Sequence, residues 1–133
     1  MFVAIKGERV DGNKFINGAY EDGAIVCLSE DEPDKNSINI SEKNGYIVGK
    51  ACFQALKDIA EYYREVMNTK IVGITGSVGK TSTKEMLAAV MSEKFNTLKT
   101  QGNFNNEVGV PLTLFRLSEE HELAIVEIGS AHV

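Results

Sequence analysis

The hydrophobic positions of this chain form two patterns, short apolar runs and longer stretches with an apolar residue every three or four positions. The apolar runs predict strands at 2–5, 24–29, 70–75, 95–100 and 122–129. The helical spacing predicts a short helix ending at Gly23, a helix of about four turns within 49–68, another over 80–93 and a short one within 106–117. This alternation indicates the α/β class, with a parallel sheet and crossover helices.

The patterns also divide the chain into regions. We predict a small α/β unit at 1–48, a connecting helix at 49–68 and the start of a parallel-sheet unit at 69–133. The acidic and polar segment Glu30–Asn44 is predicted to form loops with one surface strand around Ile38–Ile40. Because the chain stops just after its last predicted strand, and a three-stranded parallel sheet is small, we expect a truncated polypeptide.

The composition narrows the possible functions. With 43% hydrophobic and 25% charged residues, the chain is typical of a globular protein. A net charge of -5 without a basic block argues against nucleic-acid binding. No apolar stretch approaches the roughly 20 residues of a membrane span, and the N-terminus lacks a signal peptide. Cys27 and Cys52 lack metal-ligand spacing and are predicted to be small buried side chains, so we expect a reducing cytoplasm.

A glycine-rich segment supplies the strongest chemical signal. Its sequence, TGSVGKTS, lies between a predicted strand and a predicted helix, which is the context of a Walker A loop. Glycines let backbone N–H groups turn towards an anion, and the helix N-terminus adds a partial positive charge. The predicted nucleotide-binding residues are Thr75, Gly76, Ser77, Val78, Gly79, Lys80, Thr81 and Ser82. Strict spacing requires glycine where Ile74 stands, so the loop is a variant; the alternative is a ligand-free turn that caps a helix.

Lys80, Glu127 and His132 are the candidate catalytic residues. The Lys80 ammonium is expected to reach the β- and γ-phosphates of ATP, and the Thr81 hydroxyl to bind Mg²⁺. Glu127 ends the strand predicted at 122–129, which places it near the loop as a second Mg²⁺ ligand; the alternative is a solvated acid. His132 could orient a phosphate or carboxylate at the same rim, or lie on the surface near the chain end.

An asparagine-rich segment, TQGNFNNEVGVP, follows the strand predicted at 95–100 and should lie on the same rim. Asn103, Asn105 and Asn106 supply neutral amide groups that could hold a carboxylate or phosphoryl oxygen of a substrate. The alternative is a turn followed by an asparagine helix cap, with Pro111 in the first helical turn.

Four segments of the sequence resemble the Mur ligase family and occur in the family's order: FVAIKGERVDGNKF, TGSVGKTSTKEM, TQGNFNNEVGVPLTLFRL and AIVEIGSAH. The resemblance implies an ATP-dependent amide ligase of peptidoglycan synthesis with three domains, of which this chain would hold most of the first and the opening of the central P-loop ATPase domain. It implies ATP and Mg²⁺ as cofactors. It also implies UDP-N-acetylmuramoyl tripeptide and D-alanyl-D-alanine as substrates, which the family joins through an acyl phosphate.

The resemblance implies contacts to the nucleotide sugar around Lys6 and Asn13. The chain begins after a Ser-Arg pair that the family usually has, and Asn13 and Ala131 stand where the family often has His and Asn. We expect the chain to be inactive alone, because the family's closing domains would follow Val133. The alternatives are another ligase of the superfamily, such as a folylpolyglutamate or tripeptide-forming enzyme, and a non-catalytic phosphate-binding module. The sequence leaves the oligomeric state open.

Overall fold

Parallel strands form both sheets of the computed structural model, which describes residues 1–34, 36–49 and 51–129. The chain divides into two units, Met1–Leu56 and Lys57–Val133, and each unit contains one three-stranded sheet. This arrangement confirms the predicted α/β class with parallel strands. Within the described ranges, no helix is long and apolar enough to cross a membrane.

The first unit contains a sheet of three strands in the order β1-β2-β3. Its elements are β1 (Phe2–Val3), a 3-10 helix (Gly12–Phe15), α1 (Ile16–Glu21), β2 (Val26–Ser29) and β3 (Gly45–Val48). Ala4, Ile16 and Cys27 form the buried core between the sheet and α1. The predicted helix ending near Gly23 and the two predicted strands of this unit are therefore confirmed.

The prediction of a surface strand around Ile38–Ile40 is wrong. The third strand is β3, which pairs with β2 from Val26 opposite Gly45 onwards. Strand β3 has four residues, none of them fully buried, so it lacks the alternation that identifies a strand in sequence. Ile38 instead packs against the core from a loop, and Ile40 is exposed.

The helix predicted within 49–68 is confirmed as α2 (Cys52–Met67). The boundary between the two units falls inside this helix. Its most buried residues, Cys52, Leu56 and Ala60, are four positions apart, as an amphipathic helix requires. Both cysteines of the chain are buried free thiols, as predicted, and burial raises the pKa of Cys27 and of Cys52.

The second unit consists of β4 (Lys70–Ile74), α3 (Lys80–Ser92), β5 (Thr97–Lys99), α4 (Gly109–Leu114) and β6 (Leu123–Glu127). Each element was predicted from the sequence. The strand order is β4-β6-β5, so the last strand lies between the other two and all its residues are buried. The register pairs Ile74 with Glu127. The end of β6 therefore lies beside the point where β4 gives way to the glycine loop.

Gly109 allows the first turn of α4 to touch the preceding loop. A Cβ atom on Gly109 would lie 2.5 Å from the carbonyl carbon of Phe104 and 2.6 Å from its Cα. We expect Gly109→Ala to lower the free energy of unfolding by about 1–3 kcal/mol, because backbone would have to move. Urea unfolding would measure this. Gly73→Ala is the control, since its Cβ would meet only Ile128 Cδ1 at 3.5 Å; equal losses in both variants would contradict the prediction.

Candidate functional site

The glycine loop leaves β4 at Ile74 and enters α3 at Lys80. Gly76 has a φ of +144° and Gly79 a φ of +78°, conformations that side chains other than hydrogen disfavour. The loop therefore turns sharply, as an anion-binding loop must. Four more of the predicted loop residues are exposed at its surface: Thr75, Ser77, Val78 and Ser82.

Lys80 and Thr81, the first two residues of α3, point their side chains at different partners. Lys80 Nζ donates a hydrogen bond to the Gly76 carbonyl at 2.6 Å, so the ammonium folds over the loop. Thr81 Oγ1 lies 3.2 Å from Oε1 and 3.1 Å from Oε2 of Glu127, to which it donates. The structure thus brings together the two residues that were predicted to bind Mg²⁺.

Glu127 is almost completely buried, with 1% of its surface exposed. Its backbone N–H donates to Thr100 Oγ1 at 2.9 Å, at the end of β5. Its carboxylate accepts a hydrogen bond from Asn105 Nδ2, 2.8 Å from Oε1. Glu127 is therefore not a solvated acid, which was the alternative for this position. The carboxylate is instead held by groups from α3 and from the loop after β5.

The three asparagines of the loop after β5 make different contacts. Asn105 contacts Glu127, whereas Asn103 is exposed and its backbone carbonyl accepts from the Asn105 N–H at 2.7 Å. Asn106 Oδ1 accepts from the N–H groups of Val108 at 3.2 Å and Gly109 at 2.7 Å, which ties it to the start of α4. For Asn106 the structure therefore matches the alternative of a helix cap.

Sequence reasoning missed Lys84, whose side chain is fully buried. Its Nζ donates to the Gly102 carbonyl at 3.2 Å and forms ion pairs with Glu85 Oε1 at 3.2 Å and Glu127 Oε2 at 3.7 Å. The signal was present in the spacing, because Lys84 follows Thr81 by three positions and so shares its helix face. Sequence reasoning did not identify Lys84 because lysines in helices are usually exposed.

Glu85 extends this cluster of charges towards the surface. Its carboxylate pairs with Lys99 as well as with Lys84. The hydrogen bonds from Lys99 first, and from Lys84 second, hold the pKa of Glu85 below its usual value. The positive charge of the buried Lys84 is thus shared between an exposed carboxylate and a buried one.

The predicted contacts of the first unit converge on an acid that sequence reasoning also missed. Lys6 Nζ lies 2.8 Å from the Asp31 carboxylate, and the hydrogen bond between them raises the pKa of Lys6. Asn13 donates from Nδ2 to Asp31 at 2.7 Å and accepts from the Ser29 hydroxyl at 2.6 Å. Asn13, Asp31 and Tyr46 line a cleft of about 440 Å³. The remaining candidate, His132, lies outside the described residues.

The Thr81 and Glu127 side chains fit Mg²⁺. Both supply hard oxygen atoms, and the hydroxyl oxygen lies 3.1 Å from the nearer carboxylate oxygen. Proteins commonly hold Mg²⁺ with one or two such groups and leave the other positions to phosphates and water. Among the contacts described above, only the Lys84 ammonium opposes a metal ion at Glu127. It already places a positive charge 3.7 Å from Glu127 Oε2.

A Walker-type loop at the carboxyl ends of parallel strands places the second unit in the class of P-loop α/β folds. The chain belongs to the Mur ligase family. The description "Mur ligase family, catalytic domain" matches residues 1–94, and "Mur ligase middle domain" matches residues 74–133.

Several relatives and solved structures of this family are similar to the chain. The chain is 38% identical to the UDP-N-acetylmuramoyl-tripeptide–D-alanyl-D-alanine ligase of Bacillus subtilis and 40% identical to that of Escherichia coli, over 97% and 99% of its length. It spans only 27% and 28% of those two proteins. Its structure is similar to MurF from Acinetobacter baumannii, with a TM-score of 0.84 at 37% identity over 98% of this chain and 28% of that one. A MurF ligase from Thermotoga maritima, in complex with ADP, gives 0.82 at 31% identity over 98% and 29%.

Proposed function

We propose that the chain supplies part of an ATP-dependent MurF-type ligase, which adds D-alanyl-D-alanine to UDP-N-acetylmuramoyl tripeptide in the cytoplasm during peptidoglycan synthesis. The observation that carries the proposal is the convergence of Thr81 and Glu127 beside the glycine loop. The names of the relatives support the choice of substrates, and the ADP complex of the Thermotoga maritima protein supports nucleotide binding. We propose that residues 1–48 belong to a domain that binds the UDP-sugar, that residues 49–68 form a connecting helix, and that residues 69–133 form the first part of the domain that binds ATP.

The reaction needs ATP because a carboxylate is a poor acyl donor. The terminal carboxylate of the tripeptide attacks the γ-phosphorus of ATP, which releases ADP and leaves an acyl phosphate. The amine of D-alanyl-D-alanine then attacks the acyl carbon, the new amide bond forms, and inorganic phosphate leaves with release of a proton. The intermediate must be kept from water, which requires closure of the site.

The residues of the loop and its rim have distinct roles in this proposal. The Lys80 ammonium and the loop N–H groups stabilise negative charge on the phosphoryl group as it moves. Thr81 and Glu127 hold Mg²⁺, which when bound neutralises charge on the phosphates. Asn105 orients the Glu127 carboxylate, and the exposed Asn103 is available for the substrate carboxylate.

Three further assignments complete the proposal. Lys6 and Asn13, joined through Asp31, contact the nucleotide-sugar end of the substrate. Asn106 contributes by fixing the start of α4 beside the loop. His132 orients a phosphate or carboxylate at the rim.

The test is product formation by the full-length product of the gene that encodes this chain. With ATP, Mg²⁺, UDP-N-acetylmuramoyl tripeptide and D-alanyl-D-alanine, we expect one ADP and one phosphate for each amide bond, with the pentapeptide product identified by mass spectrometry. The 133-residue chain alone is expected to give no turnover. Omitting D-alanyl-D-alanine should prevent formation of the amide.

Other outcomes would contradict the proposal. If the protein joined free amino acids to a shorter muramoyl peptide, or glutamate to a folate, it would be another ligase of the superfamily. If the full-length protein bound ATP and turned over none of these substrates, it would be a phosphate-binding module.

A further inference from the structure

Lys84 is a buried charge to which the proposed function assigns no task. Its side chain has no exposed surface, and it lies in α3 one turn after Lys80. Burying an ammonium group is costly unless it is paired, so a buried lysine is rare in a small domain. The position therefore calls for an explanation beyond packing.

The contacts described for Lys84 all lie within the protein. Its Nζ lies 3.2 Å from the Gly102 carbonyl oxygen, 3.2 Å from Glu85 Oε1 and 3.7 Å from Glu127 Oε2. Lys80 differs, because its ammonium rests on a carbonyl of the loop itself. Lys84 thus connects α3, the loop that carries Asn103 and Asn105, and the carboxylate at the end of β6.

The charges around Glu127 balance within the protein, because the carboxylates of Glu85 and Glu127 are paired with the ammonium groups of Lys84 and Lys99. Glu127 brings the only carboxylate beside Thr81 among the contacts described, and the Lys84 ammonium lies 3.7 Å from it. In a buried environment two unit charges at this separation interact strongly, so a second cation at Glu127 would be repelled by the first. The phosphates of a nucleotide would supply the negative charge that a divalent ion needs.

We propose that Lys84 is the resident counter-ion of Glu127 and makes divalent-metal binding at Thr81 and Glu127 depend on the phosphates of a bound nucleotide. Lys84 is thus a positioning residue that sets when the metal binds. This inference rests on the proposed function, because it takes Thr81 and Glu127 as the metal site. It also gives a physical reason for a lysine at this buried position.

The test measures binding of Mn²⁺, as a paramagnetic probe, to the 133-residue chain without nucleotide, from the electron paramagnetic resonance signal of the free ion. Lys84→Met keeps the length of the side chain and removes its charge. We expect Mn²⁺ to bind Lys84→Met about tenfold or more tightly than the unaltered chain. The double variant Lys84→Met/Glu127→Gln should lose this gain, and Lys84→Arg should not show it.

A purely structural role for Lys84 gives the opposite result, since a damaged site binds metal more weakly. Equal or weaker Mn²⁺ binding by a folded Lys84→Met, or a gain that persists in the double variant, would overturn the proposal. If Lys84→Met does not fold by circular dichroism, Lys84→Gln takes its place, because its side chain is neutral and keeps an N–H donor. In the unaltered chain, Mn²⁺ affinity that is the same with and without inorganic triphosphate, once the Mn²⁺ that triphosphate binds in protein-free solution is subtracted, would overturn the proposal by itself. None of these measurements depends on turnover, so a failure of the proposed ligase activity remains distinguishable.

Discussion

In the Lys80→Ala variant, ATP is expected to bind about 100-fold more weakly, a loss of about 2.7 kcal/mol. A hydrogen bond to a charged group is worth about 1.5–3 kcal/mol, and the ammonium is expected to contact two phosphates. Its Nζ already lies 2.6 Å from the Gly76 carbonyl, so little ordering is needed when the nucleotide arrives. The free energy lost on truncation should therefore be close to the full value of the contacts.

The thermal shift produced by Mg-ATP gives a direct measurement. At an ATP concentration of about 100 times its Kd, the unaltered chain gains about 2.7 kcal/mol of stability, whereas a variant that binds 100-fold more weakly gains about 0.4 kcal/mol. Lys94→Ala is the matched control, since it removes the same charge beyond the far end of α3, roughly 20 Å away. Equal stabilisation of Lys80→Ala and Lys94→Ala would place the nucleotide elsewhere.

The position of Glu127 could be predicted from the sequence because it follows from one general rule. The apolar run at 122–129 identified a buried strand, and parallel strands bring their carboxyl ends to the same edge of a sheet. The order of the strands was not predictable in this way. That β6 lies between β4 and β5, with Glu127 opposite Ile74, depends on packing across the whole second unit.

The burial of Lys84 could not be predicted from the sequence either, because it too depends on packing across the second unit. Local sequence treats a lysine in a helix as a surface residue and an apolar residue as a buried one. In the structure Met86 is 72% exposed and Val90 69% exposed, whereas Lys84 faces Glu127. A contact between residues 43 positions apart in the chain decides which face is inside, and no pattern within the helix contains that information.

Thr81→Val is expected to remove most of the effect of Mg²⁺ on nucleotide binding while leaving the fold intact. Valine keeps the β-branched shape of threonine and lacks the hydroxyl, and Thr81 is exposed, so the cost in stability should be small. Without Thr81 Oγ1, which lies 3.1–3.2 Å from both Glu127 carboxylate oxygens, the metal would lose one of the two protein ligands that we propose for it. We expect the ratio of ATP affinities with and without Mg²⁺ to fall roughly tenfold or more.

Isothermal titration of ATP in Mg²⁺ and in a chelator would measure this ratio, with Thr81→Ser as the control because serine retains the hydroxyl. Thr81→Ser should keep most of the Mg²⁺ effect, whereas Thr81→Val should bind ATP in the chelator as well as the unaltered chain does. That second comparison separates a metal ligand from a phosphate ligand, since loss of a phosphate contact would weaken binding in both solutions. If the valine and serine variants responded equally to Mg²⁺, the Thr81 hydroxyl would not be a metal ligand, and the contact with Glu127 would only hold α3 against the end of β6.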